Sequence, residues 1–290
     1  MKILNLSLFL ICSIFSTVAQ NYLPRSSGEV IKHTYYTLSY CEQHEQAEWV
    51  YYQITPSSLT GGASRSDNFR RDDKVSTGSA ELSDYASSGY DRGHLCPAAS
   101  MSFNSTAMSE SFYLSNMSPQ VPAFNRGAWK KLEECVRNFA AADSVIHVVT
   151  GPLFNTTLGT IGSNKVTIPE YYYKVVYSPK KGEMIGFVMH NSKLDGALTS
   201  YAQSVDHIEE LSGIDFFADI DDSLSQQEAR VNLSAWPFDE VTSTTSSAPA
   251  KIEAETSQQC KGITSSKSRC KNQTKNSNGY CHLHQSQAKE

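Results

Sequence analysis

The stretch YDRGHLCPAAS, residues 90–100, places an aspartate, an arginine, a glycine and a histidine in four consecutive positions. A buried strand has no packing reason for three ionisable side chains so close together, so the choice is between a solvated surface turn and a reactive site. If the stretch is a strand, Arg92 and His94 project from one face and Asp91 from the other. Histidine accepts protons near neutral pH, and the donors of arginine match phosphate. The stretch therefore predicts a base beside a phosphate clamp, an arrangement suited to phosphodiester cleavage.

A second polar stretch, SFYLSNMSPQVPAFNRGAWKKLEE at residues 111–134, leads into a predicted amphipathic helix over 128–142. Asn125 stands where an asparagine would cap this helix, and capping is its structural alternative to a role in a site. Glu133 follows roughly two helical turns later and can return to the face of Asn125. The alternative for Glu133 is an ordinary solvated carboxylate.

The rest of the body predicts an α+β fold with a central, mostly antiparallel sheet flanked by helices. Aromatic and β-branched runs closed by Gly, Pro or Asn predict strands within residues 33–54, 145–154, 165–179 and 184–191. A short helix is predicted at 204–214.

Both ends of the chain differ in composition from the body. Residues 1–19 combine Lys2, a short apolar run and small residues before Gln20, which predicts a cleaved signal peptide, with an uncleaved anchor as the alternative. We therefore expect a secreted or periplasmic protein that has no membrane association after cleavage. Residues 30–240 form the predicted body. Residues 241–257 lack large apolar side chains apart from Val241 and Ile252 and predict a flexible linker, followed by a small module over 258–286.

Charge is unevenly distributed between the body and the tail. Residues 258–290 carry six Lys or Arg side chains and one carboxylate, a net charge of +5, so the preceding 257 residues sum to −10. An acidic body that binds a polyanion must concentrate positive charge locally. The arginine-bearing loop at 65–71 and the basic tail are the candidates.

The pairing of DRGHL with FYLSNMSPQVPAFNRGAWKKLE resembles the DNA/RNA non-specific endonuclease family, the ββα-metal nucleases that include the endonuclease G group. The similarity continues through TGPLF, VTIPEYYYKVV and HIEELSGIDFF, so it covers most of residues 35–220. The resemblance implies a ββα-metal nuclease core within the α+β body, with DNA and RNA as substrates.

The resemblance also implies roles for individual residues. His94 matches the general base that activates water, and Arg92 matches an arginine near the scissile phosphate. Asn125 matches the single direct protein ligand of Mg²⁺ or another divalent cation such as Mn²⁺. Glu133 matches a carboxylate that orients metal-bound water, and Asn116 matches a supporting residue of the active site.

A further arginine of the family lies upstream, and its match is Arg65, with Arg70 and Arg71 as alternatives. Hydrolysis by water in line would leave 5′-phosphate ends. Because contacts to phosphate and sugar carry little sequence information, little sequence specificity is expected.

The tail places Cys260, Cys270, Cys281 and His284 in a segment too small for an apolar core. These four side chains predict a structural zinc site of the Cys₃His type, with His282 as an alternative ligand. A disulfide with one free thiol is the other interpretation. The pairing of Cys41, Cys96 and Cys135 stays open, because connectivity cannot be read from sequence.

Two other functions compete with an active nuclease. A catalytically inactive nucleic-acid-binding protein could retain the fold and use the basic tail for binding. A Ser/His hydrolase would need a G-x-S-x-G elbow, which the sequence lacks. The sequence leaves the oligomeric state open.

Overall fold

The computed structural model describes residues 22–220, 225–238, 258–263, 269–270, 273–274 and 287. The chain divides into two compact units, Met1–Glu240 and Val241–Glu290. The predicted signal peptide at 1–19 and the predicted linker at 241–257 lie outside the described residues.

The strands of the first unit form one large sheet and one small one. In chain order the strands are β1 (Glu29–Lys32), β2 (Tyr36–Cys41), β3 (Gln46–Ile54), β4 (Asp91–His94), β5 (Met117–Gln120), β6 (Ile146–Ile161), β7 (Val166–Ser178), β8 (Glu183–His190) and β9 (Ala202–Gln203). The large sheet has seven strands in the order β1-β2-β3-β6-β7-β8-β9, and every neighbouring pair is antiparallel. The predicted mostly antiparallel central sheet is confirmed.

The helices of the first unit are short apart from one. They are α1 (Leu82–Tyr85), α2 (Ser105–Glu110), α3 (Pro122–Phe124), α4 (Lys130–Ala141), α5 (Val205–Ser212) and α6 (Ser225–Glu228). Helix α4 lies within the predicted 128–142 and buries Leu132, Cys135, Val136 and Phe139, the residues that recur at helical spacing.

The large sheet is buried on both faces because each face carries its own apolar cluster. On one face Val148 and Tyr172 pack in a cluster with Leu132 of α4. On the other face, Val149 and Tyr173 join a cluster that includes residues of α5. Strands that are covered on both faces have continuous apolar sequences, and for this reason the central strands could be predicted from the sequence.

Strand β6 is longer than its apolar run predicts. The predicted strand ends at residue 154, whereas β6 continues to Ile161. Residues 155–160 are exposed and the register with β7 shifts in this part of the pair. Strand β6 continues through residues 155–160 because its backbone pairs with β7, although the side chains there are too polar to predict a strand.

The small sheet carries the DRGH stretch. Strand β4 pairs antiparallel with β5, from Asp91 opposite Gln120 to His94 opposite Met117. A Cβ at Gly93 would lie 2.2 Å from the buried Gln120 side chain, so a larger residue here would have to displace that side chain. Strands β4 and β5 followed by α4 form the ββα unit that positions the site.

The second unit is described in part. Strands β10 (Gln258–Gln259) and β11 (Gln273–Thr274) pair antiparallel, and Cys260 and Cys270 are buried in it. Cys281 and His284, the other predicted zinc ligands, lie outside the described residues. Among the helices that the structure describes, none has the length and apolar character needed to span a membrane.

Candidate active site

A cavity of about 340 Å³ lies where β4 meets the start of α4. Five of the residues predicted from sequence line this cavity: Arg65, Arg92, His94, Asn125 and Glu133. Arg92 and His94 reach it together because they are two residues apart on β4 and so share one face of the strand.

The surroundings of His94 keep its imidazole neutral. The ring centroid lies 5.8 Å from that of Phe69 and 4.9 Å from that of Phe112. Burial, together with the positive charges of Arg65 and Arg92, lowers the pKa of His94 to about 3. The Nε2 atom is buried and has no hydrogen-bond partner within the described part of the chain. The imidazole is therefore unprotonated at neutral pH and keeps a free lone pair.

The side chain of Asn125 is oriented by a carboxylate. Its Nδ2 donates to Asp91 Oδ2 over 2.9 Å. Because an ionised carboxylate only accepts hydrogen bonds, the amide nitrogen must face Asp91, and the amide oxygen Oδ1 is left to other partners. The alternative interpretation of Asn125 as a helix cap is wrong. The residue before α4 is Trp129, which makes no side-chain capping bond, and Gly127 has non-helical dihedral angles between Asn125 and the helix.

Asp91 binds Asn125 and Arg126 at the same time. Arg126 donates from Nε to Asp91 Oδ2 over 2.8 Å and from Nη2 to Oδ1 over 2.6 Å. Partial burial alone would raise the pKa of Asp91, but the hydrogen bonds from Arg126 and Asn125 outweigh burial and the pKa is lowered. Asp91 is therefore ionised at neutral pH and holds the Asn125 amide in one orientation.

Glu133 enters the cavity from α4, and a buried lysine lies behind it. Burial raises the pKa of Glu133, while the charges of Lys174 and Arg137 oppose this rise. Lys174 on β7 is fully buried, and its Nζ donates to Tyr52 and Thr150 over 3.2 and 2.5 Å. Burial lowers the pKa of Lys174, and the charge of Glu133 opposes that change.

The structure separates the three candidate arginines of the upstream loop. Arg65 lines the cavity, with its guanidinium carbon 4.8 Å from the centroid of the Phe112 ring. Arg70 lies over Tyr113 and donates to backbone carbonyls of Asn68 and Ser109. Arg71 faces Glu81 at 3.7 Å. Only Arg65 of the three is placed beside His94.

Three more cations line the cavity, and the sequence analysis did not single them out: Arg126, Lys130 and Arg137. Together with Arg65 and Arg92 they line the same cavity as Glu133, so the acidic body does concentrate positive charge at the site. Lys130, Glu133 and Arg137 are separated by three and four positions, the spacing that places helical residues on one face. That spacing is the signal that could have predicted them.

Asn116 occupies a different environment from the other predicted residues. It is fully buried, and its Oδ1 accepts from the backbone N–H of Cys96 over 2.8 Å. Its Nδ2 donates to the carbonyls of Cys96 and Ser111 over 3.0 and 2.8 Å. Asn116 thus fixes the backbone two residues after His94 and does not line the cavity.

The donor set suits a hard cation that keeps most of its water. No group of three or more His, Cys, Asp or Glu side chains among the described residues could hold a metal ion. The cavity instead offers the Asn125 amide oxygen and the Glu133 carboxylate. Mg²⁺ prefers oxygen donors, retains several waters and binds through one or two protein groups plus phosphate. The residues present therefore fit Mg²⁺ better than a metal that needs a complete protein cage.

Comparisons with known proteins give the family of the chain. A family model described as DNA/RNA non-specific endonuclease matches residues 16–223, and a model described as a domain of unknown function matches residues 257–290. Endonuclease G, mitochondrial, from Homo sapiens is 36% identical over 202 residues, covering 64% of this chain and 68% of that protein. Nuclease C1 from Cunninghamella echinulata var. echinulata is 35% identical over 217 residues, covering 68% of this chain and 86% of that protein.

A solved structure of EndoG in its complex with EndoGI matches the fold. Its TM-score is 0.64 at 30% identity, and the match covers 70% of this chain and 89% of that one. The chain belongs to the DNA/RNA non-specific endonuclease family, a family of metal-dependent nucleases. It is a hydrolytic nuclease with the ββα-metal fold of EndoG.

Proposed function

We propose that the protein is an exported, Mg²⁺-dependent endonuclease that hydrolyses DNA and RNA with little sequence specificity. One observation carries the proposal. The neutral imidazole of His94 and the oriented amide oxygen of Asn125 share a single arginine-lined cavity. A base, an oxygen donor for a cation and several phosphate-binding cations are the groups that phosphodiester hydrolysis requires.

His94 is the general base in this proposal, and its Nδ1 is the reactive atom. Because Nε2 is buried and has no partner among the residues that the structure describes, Nδ1 is the ring nitrogen available to a water molecule in the cavity. The neutral ring takes a proton from that water as the oxygen attacks phosphorus in line. The bond between phosphorus and the 3′ oxygen breaks, that oxygen takes a proton from water, and the products are a 3′-hydroxyl end and a 5′-phosphate end.

The arginines bind the phosphate and stabilise charge that grows on its oxygens. Arg92 lies with its guanidinium carbon 4.1 Å from the centroid of the Phe69 ring, and Arg65 lies over Phe112. Stacking on these rings restricts both guanidinium groups before substrate arrives. Preorganised cations of this kind stabilise the transition state without a reorganisation cost at the moment of reaction.

Asn125 and Glu133 are the residues that would hold Mg²⁺, Asn125 through Oδ1 and Glu133 through water. When bound, the ion supplies positive charge to the phosphate and to the leaving oxygen. Asn116 supports this arrangement by fixing the backbone that follows His94. No side chain of this scheme needs a 2′-hydroxyl group, so DNA and RNA are both substrates.

The test is cleavage of supercoiled plasmid and of RNA by the full chain, each with Mg²⁺ or with EDTA. We expect both nucleic acids to be cut with Mg²⁺ and neither with EDTA. A protein that shifts DNA in a gel but cuts neither substrate under any condition would instead be the inactive binding protein.

Export and the tail complete the proposal. Residues 1–19 have the charge and hydrophobicity of a signal peptide, so we propose a secreted or periplasmic protein. N-terminal sequencing of protein recovered from the producing cell should begin near Gln20, whereas a start at Met1 would contradict export by cleavage.

We also propose that Cys260, Cys270, Cys281 and His284 bind zinc and that the basic module helps to tether substrate. Elemental analysis of the full chain should find one zinc per protein and none after Cys260→Ser. Equal zinc contents in the two proteins would contradict the site.

A further inference from the structure

A buried side chain at the end of β8, that of Asn191, contacts the turn that leads to Asn125. Asn191 directly follows β8 and is 1% exposed. Its backbone N–H donates to the carbonyl of Glu170 on β7 over 2.7 Å, which continues the pairing of β7 with β8. The large sheet therefore fixes the backbone of Asn191, while its side chain contacts the ββα unit that holds the active site.

Both ends of the Asn191 amide bind backbone groups. Oδ1 accepts from the N–H of Val121 over 2.8 Å, and Nδ2 donates to the carbonyls of Pro119 and Pro169 over 3.1 and 3.0 Å. An acceptor and two donors on one short side chain are a combination that asparagine provides. Pro119 belongs to β5 of the small sheet and Pro169 to β7 of the large sheet. Asn191 therefore joins the two sheets and the turn before α3.

Val121 connects Asn191 with Asn125. Its N–H donates to Asn191, and its carbonyl accepts from the N–H groups of Phe124 and Asn125 over 2.9 and 3.0 Å. Asp91 orients the side chain of Asn125, whereas the bonds of Val121 place the backbone that carries this side chain. The two contacts differ in kind, because one acts on the amide group and the other on the main chain.

The segment around Asn125 is too short and irregular to fix its own position. Helix α3 spans only Pro122–Phe124, and Gly127 has non-helical dihedral angles. A helix of this length has few backbone bonds of its own and is not stable without tertiary contacts. A metal ligand must be held within about 0.5 Å of its productive position by packing and hydrogen bonds. The buried Asn191 amide supplies such a contact from the large sheet.

We propose that Asn191 is a positioning residue that fixes the turn at Val121 and thereby holds Asn125 in the active-site cavity. The inference rests on the proposed nuclease function and adds to it a residue of the large sheet. Asn191 does not line the cavity and acts through Val121.

Amide hydrogen exchange of the metal-free full chain tests the contact without a measurement of activity. In the wild type, the N–H of Val121 should exchange at least about 100-fold more slowly than in an unstructured peptide. In Asn191→Ala its exchange rate should rise at least about tenfold relative to that of Val175 within β7. Rapid exchange of Val121 in the wild type would overturn the proposal even if Asn191→Ala did not fold. An unchanged ratio in the folded variant would also overturn it.

The Mg²⁺ concentration for half-maximal plasmid cleavage tests the consequence for the metal. It should rise about 10–100-fold in Asn191→Ala, as is typical when a group that orients a metal ligand is lost. Ser178→Ala is the matched control. Ser178 is fully buried at the end of β7, and its hydroxyl donates to Asp143 Oδ2 over 2.5 Å. The control should lose stability but keep the wild-type Mg²⁺ requirement within about twofold, because a purely structural bond affects only unfolding.

The outcomes separate the positioning role from the proposed function. Equal Mg²⁺ requirements in the wild type and Asn191→Ala, or an equal rise in Asn191→Ala and Ser178→Ala, would overturn the positioning role and leave the nuclease intact. A wild-type protein that cuts neither plasmid nor RNA with Mg²⁺ would instead overturn the proposed function.

Discussion

At the scale of single residues, His94 shows how neighbours decide what a side chain does. Its residue type and its place in DRGH predict a base. The low pKa could not be predicted from sequence, because it depends on burial and on Arg65, which is far away along the chain.

The depressed pKa of His94 predicts how its imidazole titrates. The folded pKa of about 3 lies below the ordinary value, so the ring should stay neutral throughout pH 5 to 8. NMR spectra of histidine-labelled protein without metal should include resonances that stay constant over this range and are assigned to His94 by their disappearance from the spectrum of His94→Gln. A His94 resonance that titrates near pH 6.5 would contradict the account of its environment.

Replacement of His94 should abolish catalysis and preserve the fold. Loss of a general base predicts a fall in kcat of roughly 10²–10⁴-fold for His94→Ala. The melting temperature should fall only modestly, because the substitution removes ring contacts with Phe69 and Phe112 but breaks no hydrogen bond of Nε2 among the described residues. Plasmid cleavage, DNA binding and thermal unfolding of the same preparation check the three expectations. Cleavage within threefold of the wild type would exclude His94 as the base.

At the scale of elements, β4, β5 and α4 bring the site together through Asp91. The strand supplies Asp91, and the turn before α4 supplies Asn125 and Arg126, which both bind its carboxylate. The sequence predicted the helix from its periodicity, whereas a strand at DRGH was only one of two interpretations of that stretch. The link between them could not be predicted, because it joins side chains 34 positions apart.

Asp91→Asn should weaken metal binding by loosening the orientation of Asn125. An asparagine at position 91 can both donate and accept, so either end of the Asn125 amide can face it. Loss of a group that orients a metal ligand typically costs 10–100-fold in metal affinity or activity. The Mg²⁺ concentration for half-maximal cleavage should therefore rise by about that factor. Asp73→Asn is the control, because the Asp73 side chain is 97% exposed, and an equal change in both variants would refute the role of Asp91.

At the scale of the whole molecule, the sheet and its two apolar layers account for most of what the sequence predicted. The runs at residues 145–154, 165–179 and 184–191 fall in strands that are covered on both faces, where hydrophobicity is a reliable signal. The burial of Lys174 was not predicted. The apolar run around this lysine predicts a strand but does not identify the partners that a buried ammonium group would contact.

The stability of the molecule should fall in mild acid, in part because of His147. This residue is 3% exposed, interacts with Tyr51 at 2.7 Å, and burial lowers its pKa to about 4. The unfolded chain therefore binds a proton at higher pH than the folded protein does. The contribution to stability is present above the unfolded pKa near 6.5 and is lost as pH falls toward 4, up to about 3 kcal/mol.

Denaturant unfolding of His147→Gln between pH 7 and 4 checks this expectation. The variant should lose less free energy of unfolding on acidification than the wild type, whatever its stability at pH 7. His207→Gln should keep the wild-type slope, because the His207 side chain is 46% exposed. Identical slopes for the wild type and His147→Gln would contradict the assignment.

The most direct measurement of the central claim is a crystal structure of His94→Ala with Mn²⁺ and a short DNA strand. We predict an anomalous peak for manganese bonded to Asn125 Oδ1 and to an oxygen of the scissile phosphate, with the space left by the imidazole open toward the same phosphorus. A cation bound away from Asn125, or a phosphate that does not face position 94, would contradict the account.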